Sequence, residues 1–166
     1  FFYTRQTKDV EFRKKKLIHL KDTIKKYEND VILALKKDLN KSEFEAYATE
    51  IGIVYDSISY FLKNIDEWVK PEPVKTPIHF QPGKSFIVRE PYGVVLIIAP
   101  FNYPFQLVME PLIGAIIGGN TAIVKPPEAA PHTSAIVKKI INETFGEKYV
   151  RVVEGEKEEV TALIHA

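Results

Sequence analysis

The sequence has no cysteine among its 166 residues. This absence excludes a disulfide framework, a thiolate metal site and a cysteine nucleophile within these residues. The 4 histidines stand far apart, with no two at the spacing of metal ligands, so no metal site is predicted. Long apolar runs are also missing, because prolines and charged residues interrupt every stretch that approaches the roughly 20 residues of a membrane span. We therefore expect no membrane span.

Neither sign of charge is in excess, since 23 Lys and Arg oppose 22 Asp and Glu for a net charge of +1. This balance gives no electrostatic reason to expect a nucleic-acid partner or an anionic membrane surface. With 45% hydrophobic residues the chain has enough apolar side chains to bury a hydrophobic core as a soluble domain. The first residue is Phe1 and no signal-peptide pattern follows it. We therefore expect a trimmed start and a cytoplasmic location.

The amino-terminal part shows helical periodicity. Apolar residues recur at steps of three and four over residues 10–39, and again over residues 43–69. Ser42, with Glu45 three residues later, is a typical N-cap for the second helix. The basic run 13–16 is then a solvated face of the first helix. These patterns predict a helical hairpin over residues 1–70.

Prolines end the helical region, with Pro71, Pro73, Pro77 and Pro82 close together. Residues 78–80 and 85–89 flank the turn-like sequence Gln-Pro-Gly-Lys, which predicts a two-stranded hairpin outside the main sheet. Residues 71–90 are therefore interpreted as a linker and a ribbon.

Strand and helix patterns alternate in the remainder, residues 91–166. Strands are predicted at 94–98, 121–124 and 149–153, and helices at 104–118, 131–145 and 157–165. The first strand is continuously apolar, which is typical of a strand buried on both faces. The alternation predicts an α/β fold with the first three strand–helix units of a doubly wound, Rossmann-like parallel sheet. Ligands bind such sheets at the carboxyl ends of the strands.

Two predicted loops at that edge carry polar side chains. Asn102 follows the first strand, where its amide could donate to a reacting oxygen near a helix N-terminus, or could simply cap that helix. Lys125 and Glu128 follow the second strand, where they could contact phosphate or ribose oxygens, or form an ordinary salt bridge. The sequence contains neither a GxGxxG nor a P-loop pattern.

The run Glu-Pro-Tyr-Gly-Val-Val-Leu-Ile-Ile-Ala-Pro-Phe-Asn-Tyr-Pro-Phe over residues 90–105 resembles the aldehyde dehydrogenase superfamily. The segments Pro-Leu-Ile-Gly-Ala at 111–115, Gly-Asn at 119–120 and Lys-Pro-Pro-Glu at 125–128 share the resemblance. The Asn-Tyr-Pro-Phe form, with Trp68 just before the linker, is most similar to the class 3 branch that takes fatty and aromatic aldehydes. The resemblance covers nearly the whole chain and is strongest over residues 90–128.

The resemblance implies an enzyme that oxidises a small-molecule aldehyde substrate to a carboxylic acid with NAD or NADP. Asn102 would be the oxyanion donor, Lys125 and Glu128 would contact the adenosine ribose, and the residues lining the cofactor cleft would be Ile98, Ala99, Pro100 and Phe101. The ribbon over residues 76–89 would join subunits in a homodimer or a higher homo-oligomer.

The resemblance also places the nucleophilic cysteine and the general-base glutamate after Ala166. The chain would then be an amino-terminal portion, with no activity of its own. A stand-alone nucleotide-binding or protein-interaction module is the alternative.

Three positions depart from the family pattern. Pro127 stands where Ser or Ala is usual, and Glu156 follows Gly155 where a second glycine is frequent. Ala130 replaces a hydroxyl cap before the helix at Pro131, a loss of about 1 kcal/mol.

Overall fold

The computed structural model describes residues 1–165. After two short 3-10 turns, Phe2–Thr4 and Gln6–Lys8, helix α1 spans Val10–Lys26 and helix α2 spans Glu28–Leu39. The single helix predicted over residues 10–39 is therefore interrupted at Tyr27, whose φ of −107° departs from helical geometry. The tyrosine hydroxyl donates to Glu143 in a later helix at 2.7 Å. Long-range packing thus accompanies an interruption that local periodicity does not predict.

The second predicted helix is also irregular. It comprises α3 at Glu43–Ala46, a π-helical turn at Tyr47–Ile51 and α4 at Gly52–Trp68. Ser42 is the N-cap as predicted, since its hydroxyl accepts from the Glu45 backbone N–H at 3.1 Å. Within the π turn both Glu50 and Ile51 are fully buried. Such turns are rare inside helices and occur frequently at functional sites.

The ribbon exists, but its predicted pairing is wrong. Strand β1 at Glu72–Val74 pairs antiparallel with β2 at Ser85–Ile87, whereas Ile78–Phe80 forms a 3-10 turn. That turn is closed by the Phe80 N–H, which donates to the Pro77 carbonyl at 3.0 Å. The Thr76 hydroxyl accepts from the Ser85 backbone N–H at 2.9 Å, so a side chain closes the loop between the strands.

The remaining chain forms the predicted parallel sheet. Its strands are β3 at Val94–Ile98, β4 at Thr121–Lys125 and β5 at Val150–Val152, in the order β3-β4-β5. Helices α5 at Gln106–Ile117, α6 at Pro131–Thr144 and α7 at Lys157–Ile164 follow them in turn. The α/β class and the strand–helix alternation are thereby confirmed.

One hydrophobic core joins the helical region to the sheet. Helix α1 packs against α5 and α6, α2 packs against α6, and α4 packs against α5. The largest fully buried side chains come from both regions and include Leu17, Leu20, Ile24, Ile58, Ile65, Phe105, Met109 and Ile113. Burial of these side chains is the main favourable contribution to folding.

Strand β3 is not buried on both faces, contrary to the prediction. Val94 is 65% exposed and Ile98 is 44% exposed, whereas Ile97 is buried. Right-handed crossovers that progress in one direction across a sheet place both helices on the same face. Helix α5 packs against β3 and α6 packs against β5 on that face, and among the described residues nothing buries the other face of β3.

Within residues 1–165, no helix combines the length and the apolar character that crossing a membrane requires.

Candidate functional site

Three loops meet at one edge of the sheet, at the carboxyl ends of the strands. Ile98 is paired in register with Lys125, and Val124 with Val152. The pairing continues past the strands, because the Ala99 N–H donates to the Lys125 carbonyl at 3.1 Å. The segments after β3, β4 and β5 therefore lie side by side, as the parallel sheet predicted.

The first loop carries Asn102 on the surface. Asn102 is exposed, and its side-chain amide forms no hydrogen bond to any described residue. Helix α5 begins at Gln106 without a side-chain cap from the residue before it. The interpretation of Asn102 as a cap for this helix is therefore wrong. The amide is free to meet a ligand at the edge of the sheet.

Glu50 caps α5 in place of Asn102. Its Oε2 accepts from the backbone N–H groups of Phe105 at 2.8 Å and Gln106 at 3.1 Å. Its other oxygen, Oε1, lies 2.5 Å from Lys41 Nζ in an ion pair whose side chains are 0% and 8% exposed. Carboxylates that accept backbone N–H groups stabilise a helix N-terminus. The helical region thus holds the start of α5 from across the core.

Lys41 also contacts the Asn102 loop directly. Its ammonium donates to the Asn102 backbone carbonyl at 3.3 Å and lies 4.1 Å from the centroid of the Tyr103 ring. An ammonium group has three N–H donors, and the carboxylate, the carbonyl and the aromatic face offer a partner for each.

Sequence reasoning missed both residues of this ion pair. The detectable signal was Glu50 itself, an acidic residue beside the apolar stripe that contains Ile51 and Val54. A charged residue on a buried stripe needs a partner and therefore indicates a specific site. Asn102 does precede a helix N-terminus as expected, but two backbone N–H groups at that terminus are already bonded to Glu50.

The residues predicted to line a cofactor cleft differ in exposure. Ile98 is 44% and Phe101 57% exposed, whereas Ala99 is only 7% exposed. Pro100 is exposed as well. The first loop therefore offers apolar surface from Ile98, Pro100 and Phe101, with Ala99 packed beneath.

The second loop holds a buried lysine beside an exposed carboxylate. Lys125 is 2% exposed, and its ammonium donates to the Glu128 carboxylate, whose side chain is 56% exposed. The salt bridge considered from the sequence is therefore present. The hydrogen bond from Lys125 lowers the pKa of Glu128 below its ordinary value, so Glu128 is ionised at neutral pH. The arrangement presents a fixed anionic acceptor to solvent.

A groove of about 260 Å³ runs between the second and third loops. Its walls are proline-rich and acidic, and the lining residues include Pro126, Pro127, Glu128, Pro131, Glu154 and Glu156. Gly155 has a φ of +155°, and a Cβ there would come within 2.4 Å of the Glu159 side chain. Glycine at this position therefore lets the third loop turn tightly into α7.

Contacts surround two of the departures from the family pattern, and at Ala130 they replace the missing cap. The Pro127 carbonyl accepts from the Ser134 hydroxyl at 2.7 Å, which ties the second loop to α6. Asp38 in α2 supplies the cap that Ala130 lacks, since its carboxylate accepts from the Thr133 N–H at 2.7 Å and from the His132 N–H at 3.2 Å. The expected loss of capping free energy is therefore offset from another helix.

Comparison with known proteins places this geometry in one family. Residues 3–166 match the aldehyde dehydrogenase family. A 4,4'-diaponeurosporen-aldehyde dehydrogenase from Staphylococcus aureus is 56% identical over 165 residues, which is 99% of this chain and 36% of that protein. Aldehyde dehydrogenase family 3 member A2 from Macaca fascicularis is 37% identical over 98% of this chain and 34% of its own length. The chain thus spans about a third of these relatives.

Solved structures of aldehyde dehydrogenases share the fold of this chain. A substrate-bound structure of Staphylococcus aureus AldH superposes with a TM-score of 0.97 at 55% identity, over 100% of this chain and 36% of that one. A Streptococcus pyogenes succinic semialdehyde dehydrogenase in complex with NADP+ shares the fold, with a TM-score of 0.85 at 20% identity over 99% of this chain and 36% of that one. With class 3 members among its relatives, this chain belongs to the aldehyde dehydrogenase family.

Proposed function

We propose that this chain is the amino-terminal part of an NAD(P)-dependent aldehyde dehydrogenase that oxidises an aldehyde to a carboxylic acid. The observation that carries the proposal is Asn102, an exposed amide without a partner in the described chain, held on an anchored loop beside the Lys125–Glu128 loop. Because the chain has no cysteine, the nucleophile that forms the thiohemiacetal lies outside these 166 residues.

Asn102 acts on the oxygen of the aldehyde. Attack at the carbonyl carbon moves charge onto that oxygen, and a fixed amide N–H donor interacts more strongly with the resulting oxyanion than with the neutral carbonyl. The amide does not titrate, so its donor remains available across the working pH range. The backbone at the start of α5 adds little to this interaction, because Glu50 accepts from the N–H groups of Phe105 and Gln106.

The groove beside Glu128 fits the adenosine ribose of a nicotinamide cofactor, which accepts the hydride when bound. Glu128 offers an exposed, ionised acceptor for ribose hydroxyls, and Pro126, Pro127 and Pro131 offer apolar walls. Ile98, Pro100 and Phe101 extend that apolar surface along the first loop. Residues of this chain would therefore bind and orient the cofactor.

We further propose a preference for NAD over NADP. Glu128, Glu154 and Glu156 all line the groove, so even with Glu128 paired to Lys125 and Glu154 paired to Lys138 a 2'-phosphate would meet more carboxylates than cations there. Lys125 is 2% exposed and its charge is offset by Glu128, so it is a poor partner for that phosphate. This is the reason to favour NAD where the sequence left both cofactors open.

Assembly and location belong to the same proposal. The ribbon around β1 and β2 exposes several large apolar side chains, namely Val74, Phe80, Phe86, Ile87 and Val88. Such a surface supports a homodimer or a higher homo-oligomer formed through the ribbon. The cytoplasm is the location that we propose for it. Sedimentation of the longer protein with Phe86→Glu tests the interface, and a dissociated variant is expected.

The activity is tested by expressing the longer protein that contains this segment and following reduction of NAD and NADP with fatty and aromatic aldehydes. We expect aldehyde-dependent reduction, with kcat/KM higher for NAD. Binding of a nucleotide without any turnover would favour the alternative, a nucleotide-binding or interaction module without catalytic activity.

A further inference from the structure

The Lys41–Glu50 ion pair is the most completely buried pair of opposite charges in the described chain. Glu50 is 0% exposed, and the Lys41 side chain is 8% exposed. Together the two side chains contact four residues of the segment 102–106, through the Asn102 carbonyl, the Tyr103 ring and the N–H groups of Phe105 and Gln106. The pair therefore spans the junction between the Asn102 loop and α5.

Local backbone features place both charges. Lys41 follows Asn40, which ends α2 in the left-handed region with a φ of +54°. Asparagine tolerates this conformation better than most residues. Glu50 lies in the π-helical turn, which is an irregularity at a position where a regular helix would otherwise continue. Two local departures from ideal geometry thus converge on one ion pair.

Stability alone does not account for a pair of this kind. Desolvation of two charges offsets most of their attraction, and well-packed apolar residues often stabilise a core equally well. A half-buried carboxylate is enough to cap a helix, as Asp38 does for α6. The burial of Glu50 instead serves to fix the geometry of the Asn102 loop, since each charged atom of the pair bonds to that segment or to the other charged side chain.

We propose that Lys41 and Glu50 are positioning residues that set the place of the Asn102 amide. This inference rests on the proposed role of Asn102 in turnover. Glu50 fixes the first turn of α5 through two N–H groups, and Lys41 fixes the Asn102 carbonyl, so the side chain between these anchors is held where the oxyanion forms. A shift of about 1 Å in such a group can lower a rate by 10²-fold.

The test is a double-mutant cycle in the longer protein, with Glu50→Gln, Asn102→Ala and the combination of both. Glutamine keeps the size of the side chain and removes its charge. We expect Glu50→Gln alone to lower kcat roughly tenfold, by weakened orientation, with the KM for cofactor unchanged. In the Asn102→Ala background the same substitution should change kcat less than about twofold, because the group it positions is gone.

The outcomes separate this inference from the proposed function. If Asn102→Ala lowers kcat but Glu50→Gln lowers it by the same factor in both backgrounds, the positioning role is wrong and the role of Asn102 stands. If Asn102→Ala leaves kcat unchanged, the proposed role of Asn102 fails, and the positioning role fails with it.

Two further variants keep the test measurable. The combination of Lys41→Met with Glu50→Gln removes both charges and leaves no unpaired buried ion. It therefore replaces Glu50→Gln in the cycle if the Glu50→Gln protein does not fold. Asp38→Asn is the matched control, because it alters the carboxylate cap of α6 without touching the Asn102 loop. It should retain kcat per folded molecule, and a loss equal to that of Glu50→Gln would overturn the inference.

Discussion

Helices α5 and α6 both receive carboxylate caps from the amino-terminal helices, but the two caps sit in different surroundings. Asp38 is half-buried and accepts from two backbone N–H groups and the Thr133 hydroxyl. Glu50 is fully buried, pairs with Lys41 and is tied to the loop that carries Asn102. The α6 cap stabilises a helix, whereas the α5 cap also constrains a loop of the candidate site.

This difference indicates where rigidity matters in the molecule. The loop after β4 is closed by local contacts, namely the Lys125–Glu128 salt bridge and the hydrogen bond from the Ser134 hydroxyl of α6 to the Pro127 carbonyl. The loop after β3 is instead held by a buried ion pair from a distant part of the chain. The loop proposed to bind the transition state is therefore held by long-range contacts, whereas the other loop is held by local ones.

The largest expected effect is complete loss of activity in the isolated chain of 166 residues. Both capped helices and both loops are present in it, but the nucleophile is not. Purified alone, it should show no aldehyde-dependent reduction of NAD or NADP. Turnover by this chain, after removal of contaminating enzymes, would contradict the assignment of the cysteine to a later segment.

The next effect distinguishes the two caps by stability. Glu50→Ala leaves a buried lysine without its partner, so we expect a loss of about 3–5 kcal/mol in the free energy of unfolding. Asp38→Ala removes an ordinary cap and should lose about 0.5–2 kcal/mol. Denaturant unfolding of the two variants beside the unsubstituted chain measures both values. Equal losses would remove the distinction between the caps.

A smaller effect separates the two loops. Glu128→Ala should raise the KM for cofactor about tenfold, because one charge-assisted hydrogen bond is lost. The value of kcat should be retained, since a ground-state contact contributes to binding of substrate and transition state alike. Steady-state kinetics at varied NAD concentration measures the change. A fall in kcat at saturating NAD would instead place Glu128 in the chemical step.

Local sequence patterns predicted the sheet well. Strand β3 was predicted at its observed bounds, and the helices and strands that follow were predicted to within one or two residues. Continuous apolar runs and the proline that begins α6 are local signals, because each can be recognised from neighbouring residues alone. The ribbon was harder, because its first strand lies among prolines and its loop is closed by Thr76.

The anchoring of the candidate site could not be predicted from local patterns. Glu50 accepts from the N–H of Phe105, which lies 55 residues later in the sequence, and Asp38 accepts from the N–H of Thr133, which lies 95 residues later. Such pairs form only when the helices pack against one another. Asn102, Lys125 and Glu128 were proposed as site residues because they follow predicted strands, whereas Lys41 lies between α2 and α3 and Glu50 lies in the π-helical turn, both far from those strands in sequence.

The role of Asn102 is tested most directly by single-turnover kinetics on Asn102→Ala in the longer protein, with a thermal melt of the same preparation. We expect the rate at saturating NAD and aldehyde to fall about 10²-fold or more, with near-normal NAD affinity and little change in Tm. A variant with a lower Tm and a normal rate per folded molecule would contradict the account.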